Sequence, residues 1–259
     1  SAITNEYLRN ESIATRPWDK AHLYQPYQEE QILLAENASC LAVRTYLKML
    51  KLPFVDEQRA NAEFMSPGGR RTKLPVLSID AFTVAEFEPI LNLVETKGYS
   101  LSKDLSADDK SDMRAHLCLV ENIFTNAEHF ISWLDDDVLK KVTYKRNGSV
   151  YPFPLNHIQN YRKRAAIIKQ LRICDWENYT IEDVTEKVHK CCETLNNKLQ
   201  NQQYFYGDSP TELDALVFGH LFSIFTTCLS NQILAEIANK FQNLVNFCKN
   251  VENTYFKQK

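Results

Sequence analysis

The first third of the chain has the hydrophobic pattern of a small unit that mixes strands and helices. Short apolar runs at His22–Tyr24 and at Gln31–Ala35 are two candidates for its first strand. Apolar residues at three- and four-residue spacings between Leu41 and Leu50 then predict a helix, which Pro53 ends. Three more strands and a second helix, which closes at Gly98, are predicted after it: Phe54–Arg59, Leu74–Ile79, Phe82–Val84 and Glu86–Lys97.

After Gly98 the strand signals stop, and helical stripes follow one another to the end of the chain. The segment Ser100–Asp109 is polar and is predicted to be a linker. One stripe has the spacing of a helix that turns one face to a core: Leu155, Ile158, Tyr161, Ala165, Ile168 and Leu171. The pattern predicts a mostly helical α+β protein with an extension at 1–20, a mixed domain at 21–99 and an all-helical domain at 100–259.

The run from Thr211 to Cys228 is almost wholly apolar. Thr211 and Asp214 have the spacing of a capping box, in which a hydroxyl and a carboxylate each bond a free amide at the start of a helix. The helix that follows is apolar on nearly every side, as in a membrane span or in the central helix of a core. Because Asp214 and His220 interrupt it and a span needs ~20 mostly apolar residues, we expect a buried central helix. His220 is predicted to be a hydrogen-bonded core residue.

Charge and cysteine content narrow the class of protein. The 259 residues carry a net charge of -3, so there is no electrostatic case for a nucleic-acid partner. The seven cysteines are an odd number and lie mostly within apolar runs, which predicts reduced thiols in a cytosolic environment. We expect no signal peptide and no membrane span, and the polar last residues predict that there is no tail anchor.

Two polar clusters resemble metal sites without supplying enough ligands. His189 and Cys192 share one helical face with Cys191 turned away, and no second cluster provides the remaining ligands of a tetrahedral site. We therefore expect a helix with one buried cysteine. The run Asp135–Asp137 lacks the ligand spacing of a calcium loop and is expected to be a solvated loop. The sequence predicts neither a metal nor another cofactor.

The order of a small mixed domain and a helical domain resembles the glutathione transferases. In that fold a cis-proline opens a strand of the thioredoxin-like N-terminal domain, and a Thr/Ser-x-x-Asp box opens a buried central helix. Leu74-Pro75-Val76 resembles that strand start, and Thr211 to Asp214 resembles that box. Four separated stretches are more similar still to the metaxins, a family of the mitochondrial outer membrane: QILLAENASCLAV at 31–43, RANAEFMSP at 59–67, YPFPLNHI at 151–158 and PTELDALVFGHL at 210–221.

The resemblance to metaxins implies a binding role. It implies a non-enzymatic adaptor, peripheral on the cytosolic face of the mitochondrial outer membrane, which forms a heterodimer with a membrane-anchored metaxin. It also implies an association with the complex that sorts and assembles β-barrel proteins. A third implied role is mitochondrial transport, in which Miro GTPases and kinesin motors are the partners.

A glutathione-dependent transferase is the alternative. Such enzymes activate the thiol with a Ser, Tyr or Cys at the start of the first helix, because the thiolate is the reactive species. Asn37 lies near that position and is neither a nucleophile nor a base, so Ser39 or Cys40 would have to take the role. Transferases follow an acidic residue with Ser or Thr to hold the γ-glutamyl group, whereas this chain has Glu86 and Phe87. The expected result is a degenerate pocket marked by Asn37, Pro75, Glu86 and Phe87.

A basic helix supplies the candidate partner surface. A turn with Tyr151 and Phe153 precedes it, and five basic residues gather on the helix and at its end: Arg162, Lys163, Arg164, Lys169 and Arg172. Such a helix can lie on anionic lipid or dock an acidic partner. Aromatic and arginine side chains are enriched in binding hot spots, which favours a partner, and a solubilising face is the remaining alternative.

Overall fold

The N-terminal part of the protein is built on a four-stranded mixed sheet in a computed structural model that describes residues 17–65 and 71–257. Most of the predicted extension at 1–20 lies outside the described residues. The strand order is β2-β1-β3-β4, with β1 parallel to β2 and antiparallel to β3, which pairs in turn with β4. The strands are β1 (His22–Gln25), β2 (Val55–Gln58), β3 (Val76–Ile79) and β4 (Phe82–Ala85).

Two helices share a hydrophobic core with this sheet, α1 (Leu34–Met49) and α2 (Phe87–Thr96). The predicted strands and helices are confirmed except for the candidate strand Gln31–Ala35, which is wrong. There the amides of Gln31 and Ile32 both donate to the Tyr27 carbonyl oxygen at 3.0 Å, and the turn leads into α1. A short apolar run is buried in either structure, so its pattern cannot decide between them. The Leu74–Pro75 bond is cis, as the resemblance implied.

The remainder of the described chain is helical, as predicted. Its helices are α3 (Ala107–Leu134), α4 (Asp136–Val138), α5 (Tyr144–Gly148), α6 (Leu155–Ile173), α7 (Ile181–Leu199), α8 (Glu212–Thr226), α9 (Ile233–Ala238) and α10 (Gln242–Tyr255). One π-helical turn, Leu139–Thr143, joins α4 and α5. Helix α3 begins within the predicted linker, because the Ser106 hydroxyl accepts a hydrogen bond from the Asp109 amide at 3.1 Å and caps it. No helix of the described residues is long and apolar enough to cross a membrane.

Helix α8 is the buried central helix, and it lies directly against α1. A methyl group at Gly219 would lie 2.6 Å from the Ala38 carbonyl oxygen and 2.7 Å from the Ala42 nitrogen. Both atoms belong to the backbone of α1, so the two helices touch where glycine has no side chain. This contact joins the mixed domain to the helical domain.

Arg146 of α5 makes a second contact between the same two domains, at the turn before α1. Its guanidinium donates to the carbonyl oxygens of Gln28, Glu29 and Ile32 at 3.0, 3.0 and 2.9 Å. These acceptors lie in the turn that leads into α1. The start of α1 is therefore held by a side chain of the helical domain.

Asp214 is fully buried and forms the cap of α8. Its Oδ2 accepts from the amide and the hydroxyl of Thr211 at 2.7 and 2.8 Å, and its Oδ1 accepts from the Phe205 amide at 3.0 Å. Burial raises the pKa of Asp214 to about 7, while the hydrogen bonds from Phe205 and Thr211 act in the opposite direction. The carboxylate thus satisfies backbone amides that have no water to bond.

Replacing Asp214 by alanine is expected to lower the free energy of unfolding by about 2 kcal/mol, because two buried amides lose their acceptor. Replacing Thr211 by alanine removes a smaller part of the cap and should cost about 1 kcal/mol. Urea unfolding followed by far-UV circular dichroism measures both. An unchanged unfolding free energy in Asp214→Ala would contradict the structural role.

His220 lies inside α8 and is a hydrogen-bonded core residue, as predicted. Its Nδ1 is 2.7 Å from Oε1 of Glu128, both side chains are buried, and its ring stacks on Phe124. The prediction for α7 is wrong in one respect, since Cys191 and Cys192 are both buried. Helix α7 packs against α3, α9 and α10, so more than one of its faces is covered. Within the residues that the structure describes, no group of three potential metal ligands occurs.

Candidate functional site

A cavity of about 230 Å³ opens between the mixed domain and the helical domain. Helix α1 contributes Glu36 and Ser39 to its wall, α2 contributes Phe87, and α3 and α6 contribute His129 and Lys163. The cavity lies beside the first turns of α1, where a glutathione transferase carries its thiol-activating side chain.

An ion pair between the two domains fills part of this cleft. The Lys163 Nζ is 2.6 Å from Oε1 of Glu36, and the two side chains are only 11% and 12% exposed. Burial by itself raises the pKa of Glu36, but the charge and hydrogen bond of Lys163 and the nearby His129 hold it below its ordinary value. Glu36 is therefore a carboxylate that depends on Lys163. Its second oxygen has no hydrogen-bond partner in the described part of the chain.

Asn37 does not line this cavity, so its predicted place in the pocket is wrong. Its Nδ2 donates to the Ser223 hydroxyl at 3.1 Å, and its Oδ1 accepts from Gln28 Nε2 at 3.0 Å. Asn37 thus links α1 to α8 on the side away from the cavity. Pro75 is not in the wall either, whereas Glu86 and Phe87 line it. Phe87 is buried and its ring stands against Tyr46.

The two candidate nucleophiles differ in their access to the cavity. Cys40 is fully buried against Ile32, Ala62, Leu74 and Val76, and burial raises the pKa of its thiol far above the ordinary value. A thiol in such a site stays protonated and unreactive. Ser39 lies in the cavity wall, but its hydroxyl has no hydrogen bond to a base within residues 17–65 and 71–257. Activation of a serine needs such a base.

His129, like Glu36, is a titratable residue of the cavity wall that was not predicted from the sequence. It is 8% exposed, and its Nδ1 has no hydrogen-bond partner among the described residues. Burial, together with the positive charges of Lys163 and Lys73, lowers the pKa of His129 to about 4, although Glu36 acts against this. The imidazole is therefore neutral at physiological pH. The sequence does contain an indication of the buried Glu36. It is the one charged residue in the mostly apolar run 31–43.

Lowering the pH should destabilise the protein through His129. The folded pKa of about 4 lies below the unfolded value of 6.5, so the unfolded chain takes up a proton first as the pH falls. The stabilising contribution is complete above the unfolded pKa and is lost toward the folded one. Between about pH 7 and about pH 5, the wild type should lose roughly 2 kcal/mol more than His129→Gln. Urea unfolding at both pH values measures this, with the exposed His157→Gln as control. Equal losses in wild type and His129→Gln would contradict it.

The basic helix α6 is divided between the cleft and the surface. Lys163 is buried in the cleft, and Arg164 donates its Nε proton to the Trp133 carbonyl oxygen at 3.3 Å. Lys163 therefore does not belong to an exposed surface, and its place in the predicted partner surface is wrong, whereas Arg164 is half-buried. Arg162, Lys169 and Arg172 are exposed, and Arg172 forms a two-point contact with Glu177 at 2.6 and 2.7 Å. In the turn before α6, Tyr151 is half-buried and Phe153 is 80% exposed.

The apolar stripe predicted for α6 faces mainly outward. Ile158 and Tyr161 are 49% and 75% exposed, while the buried positions are Asn160, Lys163, Ile167 and Leu171. Two of these positions are polar and have buried partners. Asn160 bonds the Asn147 side chain at 2.7 Å and the Tyr144 carbonyl oxygen at 3.0 Å, and Lys163 pairs with Glu36. Because two of the four buried positions are polar, a prediction based only on apolar spacing chooses the exposed face of α6 as the buried one.

Family models and a solved structure define the class of protein. The Glutathione S-transferase N-terminal domain matches residues 38–138, and the Glutathione S-transferase C-terminal domain matches residues 188–251. A glutathione S-transferase from Methylobacterium radiotolerans, solved with glutathione sulfonate, aligns with a TM-score of 0.56 at 15% identity over 90% of this chain and 91% of that one. The protein therefore has a glutathione-transferase-like fold, with a small mixed sheet followed by a helical domain.

Curated relatives then give the family. Metaxin-2 from Mus musculus is 41% identical over 257 residues, which are 99% of this chain and 97% of the mouse protein. Metaxin-2 from Homo sapiens is 40% identical over all of this chain and 97% of the human protein. Metaxin-1 from Mus musculus is 28% identical over 83% of this chain and 69% of its own length. The chain belongs to the metaxin family.

Proposed function

We propose that this chain is a non-enzymatic binding subunit, which forms a heterodimer with a membrane-anchored metaxin on the cytosolic face of the mitochondrial outer membrane. The observation that carries the proposal is the Lys163–Glu36 ion pair beside the first turn of α1. A transferase needs a group that activates a thiol there. In this chain the buried Lys163–Glu36 pair lies there instead. The surfaces of the fold are then available to bind partners.

The similarity to Metaxin-1 supports a pair of related chains as the functional unit. In this proposal the heterodimer serves the complex that sorts and assembles β-barrel proteins. It also links mitochondria to Miro GTPases and kinesin motors. The chain needs no cofactor for these roles, because they consist of binding alone.

A glutathione-dependent transferase is the second candidate, and one observation favours it. Ser39 lies in the wall of the cavity together with Glu86, the acidic residue that corresponds to the γ-glutamyl contact of transferases. In that case the cleft would bind glutathione beside the Lys163–Glu36 ion pair. The position of Cys40 gives no support, because its thiol is buried away from the cavity.

Titration with reduced glutathione in a calorimeter discriminates between the two candidates. We expect no binding heat up to millimolar glutathione and no turnover of a chlorinated aromatic substrate. The Lys163→Met variant is a useful comparison, because it removes one half of the ion pair. Millimolar or tighter binding together with turnover that Ser39→Ala abolishes would overturn the adaptor proposal.

A further inference from the structure

Helix α6 presents an exposed line of side chains that no other part of the described chain covers. Ile158, Arg162, Ala165, Lys169 and Arg172 follow one another at intervals of three and four residues, and all five are exposed. Leu155 and Tyr161 flank this line and are 39% and 75% exposed. We call these seven residues the outer face of α6. Together with Phe153, it holds four of the large hydrophobic side chains that are exposed among the described residues.

The charge of the outer face has a single sign. Helix α6 contains no Asp or Glu in its sequence from Leu155 to Ile173. Arg162 and Lys169 have no ion-pair partner within the part of the chain that the structure describes, and Arg172 has Glu177. An exposed apolar surface of this kind marks an interaction site, and its basic side chains select the charge of what binds.

We propose that the outer face of α6 binds an acidic amphipathic helix of the partner protein. The inference rests on the proposed function, since it assigns a surface to the heterodimer. The partner helix places apolar side chains on Ile158 and Tyr161 and carboxylates on Arg162 and Lys169. Tyrosine and arginine, both present on this face, are residue types that often carry the binding energy of a protein contact.

The shape of the face suits a helix. Ala165 is exposed between Tyr161 and Lys169, so a partner backbone can approach α6 closely in the middle of the contact. With 19 residues, α6 is long enough to lie along a partner helix of several turns. The large side chains at Ile158 and Tyr161 then provide the contacts at one end of this shallow stretch.

Two other occupants fit the charges less well. A second copy of this chain would place Arg162 and Lys169 against the same residues, and like charges in contact oppose association. A lipid surface requires a helix whose apolar residues are separated from its charged ones. Here the charges of Arg162 and Lys169 lie on the same line as Ile158 and Ala165, so insertion of the face would bury them. A partner carboxylate satisfies these cations at the contact.

The test compares Ile158→Asp with Val55→Asp. Both residues are exposed branched aliphatic side chains, at 49% and 52%, but Val55 lies on strand β2 away from the face. Affinity for the anchored metaxin is measured by biolayer interferometry in detergent. Ile158→Asp is expected to weaken binding at least about tenfold with an unchanged melting temperature, and Val55→Asp should bind as the wild type does. Wild-type affinity in Ile158→Asp would overturn this inference, whereas failure of the wild type to bind would overturn the proposed function as well.

Charge reversal tests the chemistry of the occupant. Arg162→Glu combined with Lys169→Glu should weaken binding and remove its salt dependence, while the same reversal at the exposed Lys51 and Lys103 should not. A synthetic amphipathic helix with glutamate on its polar face should compete with the metaxin, and its lysine counterpart should not. Competition by both peptides alike would contradict the acidic partner. Flotation of the chain alone with phosphatidylserine-containing vesicles, lost in Ile158→Asp, would assign the face to lipid and overturn the inference.

Discussion

Replacing Lys163 by methionine is expected to lower the free energy of unfolding by about 4 kcal/mol, because it leaves the Glu36 carboxylate buried without its partner. The two charges are 2.6 Å apart, and each side chain is nearly inaccessible to water. Burial raises the pKa of Glu36, but Lys163, His129 and a backbone hydrogen bond together outweigh it and hold the pKa below its ordinary value. In the variant, burial should raise this pKa, so part of the lost stability should return as the pH falls.

The double variant Lys163→Met with Glu36→Gln separates the ion pair from the packing. It removes both charges and should recover most of the loss, since a neutral pair has no unpaired charge to bury. Lys169→Met is the matched control, because Lys169 lies on the same helix and is exposed. Its effect should stay within about 0.5 kcal/mol. Urea unfolding at neutral pH measures all three, and a loss below 1 kcal/mol in Lys163→Met would show that the cleft is open to water.

Replacing Gly219 by alanine is expected to cost about 3 kcal/mol. Alanine favours a helix over glycine by about 1 kcal/mol, so a loosely packed helix would become more stable. Here the new methyl group would meet the Ala38 carbonyl oxygen at 2.6 Å and the Ala42 nitrogen at 2.7 Å. These are backbone atoms, and they can move only if α1 separates from α8.

The sign of the stability change in Gly219→Ala shows whether α1 and α8 pack as closely as described. Gly219→Ala combined with Ala42→Gly should recover only a part of the loss. The second change removes one close neighbour, the Ala42 Cβ at 2.7 Å, but leaves the backbone atoms in place. Thermal and urea unfolding measure both variants. A gain in stability in Gly219→Ala would show that α8 does not lie directly on the backbone of α1.

The parts of the fold that depend on local chemistry could be read from the sequence. The strands, the turn at Gly98, the cap at Thr211 and Asp214, and the apolar central helix each have a local signal. The hydrogen-bonded state of His220 was also expected, since a histidine inside a buried helix needs a partner. The identity of that partner, Glu128, was not, because it comes from another helix.

The candidate site depended on contacts between segments that are distant in sequence. Nothing in the basic run of α6 distinguishes Lys163 from Arg162 until Glu36 of α1 is placed beside it. The same contact turns the apolar stripe of α6 outward, because Asn160 and Lys163 form the buried face. Asn37 was assigned to the pocket from its position near the start of α1. A bond to Ser223 of α8 turns it away.

Sedimentation with anionic vesicles, in the presence and absence of the co-expressed anchored metaxin, tests the heterodimer most directly. The chain carries a net charge of -3 and its basic side chains are partly engaged within the fold, so we expect no pelleting with vesicles alone. With the anchored metaxin the chain should pellet in full, at one copy per partner. Pelleting of the chain alone, to the same extent as with the partner, would contradict a heterodimeric binding subunit.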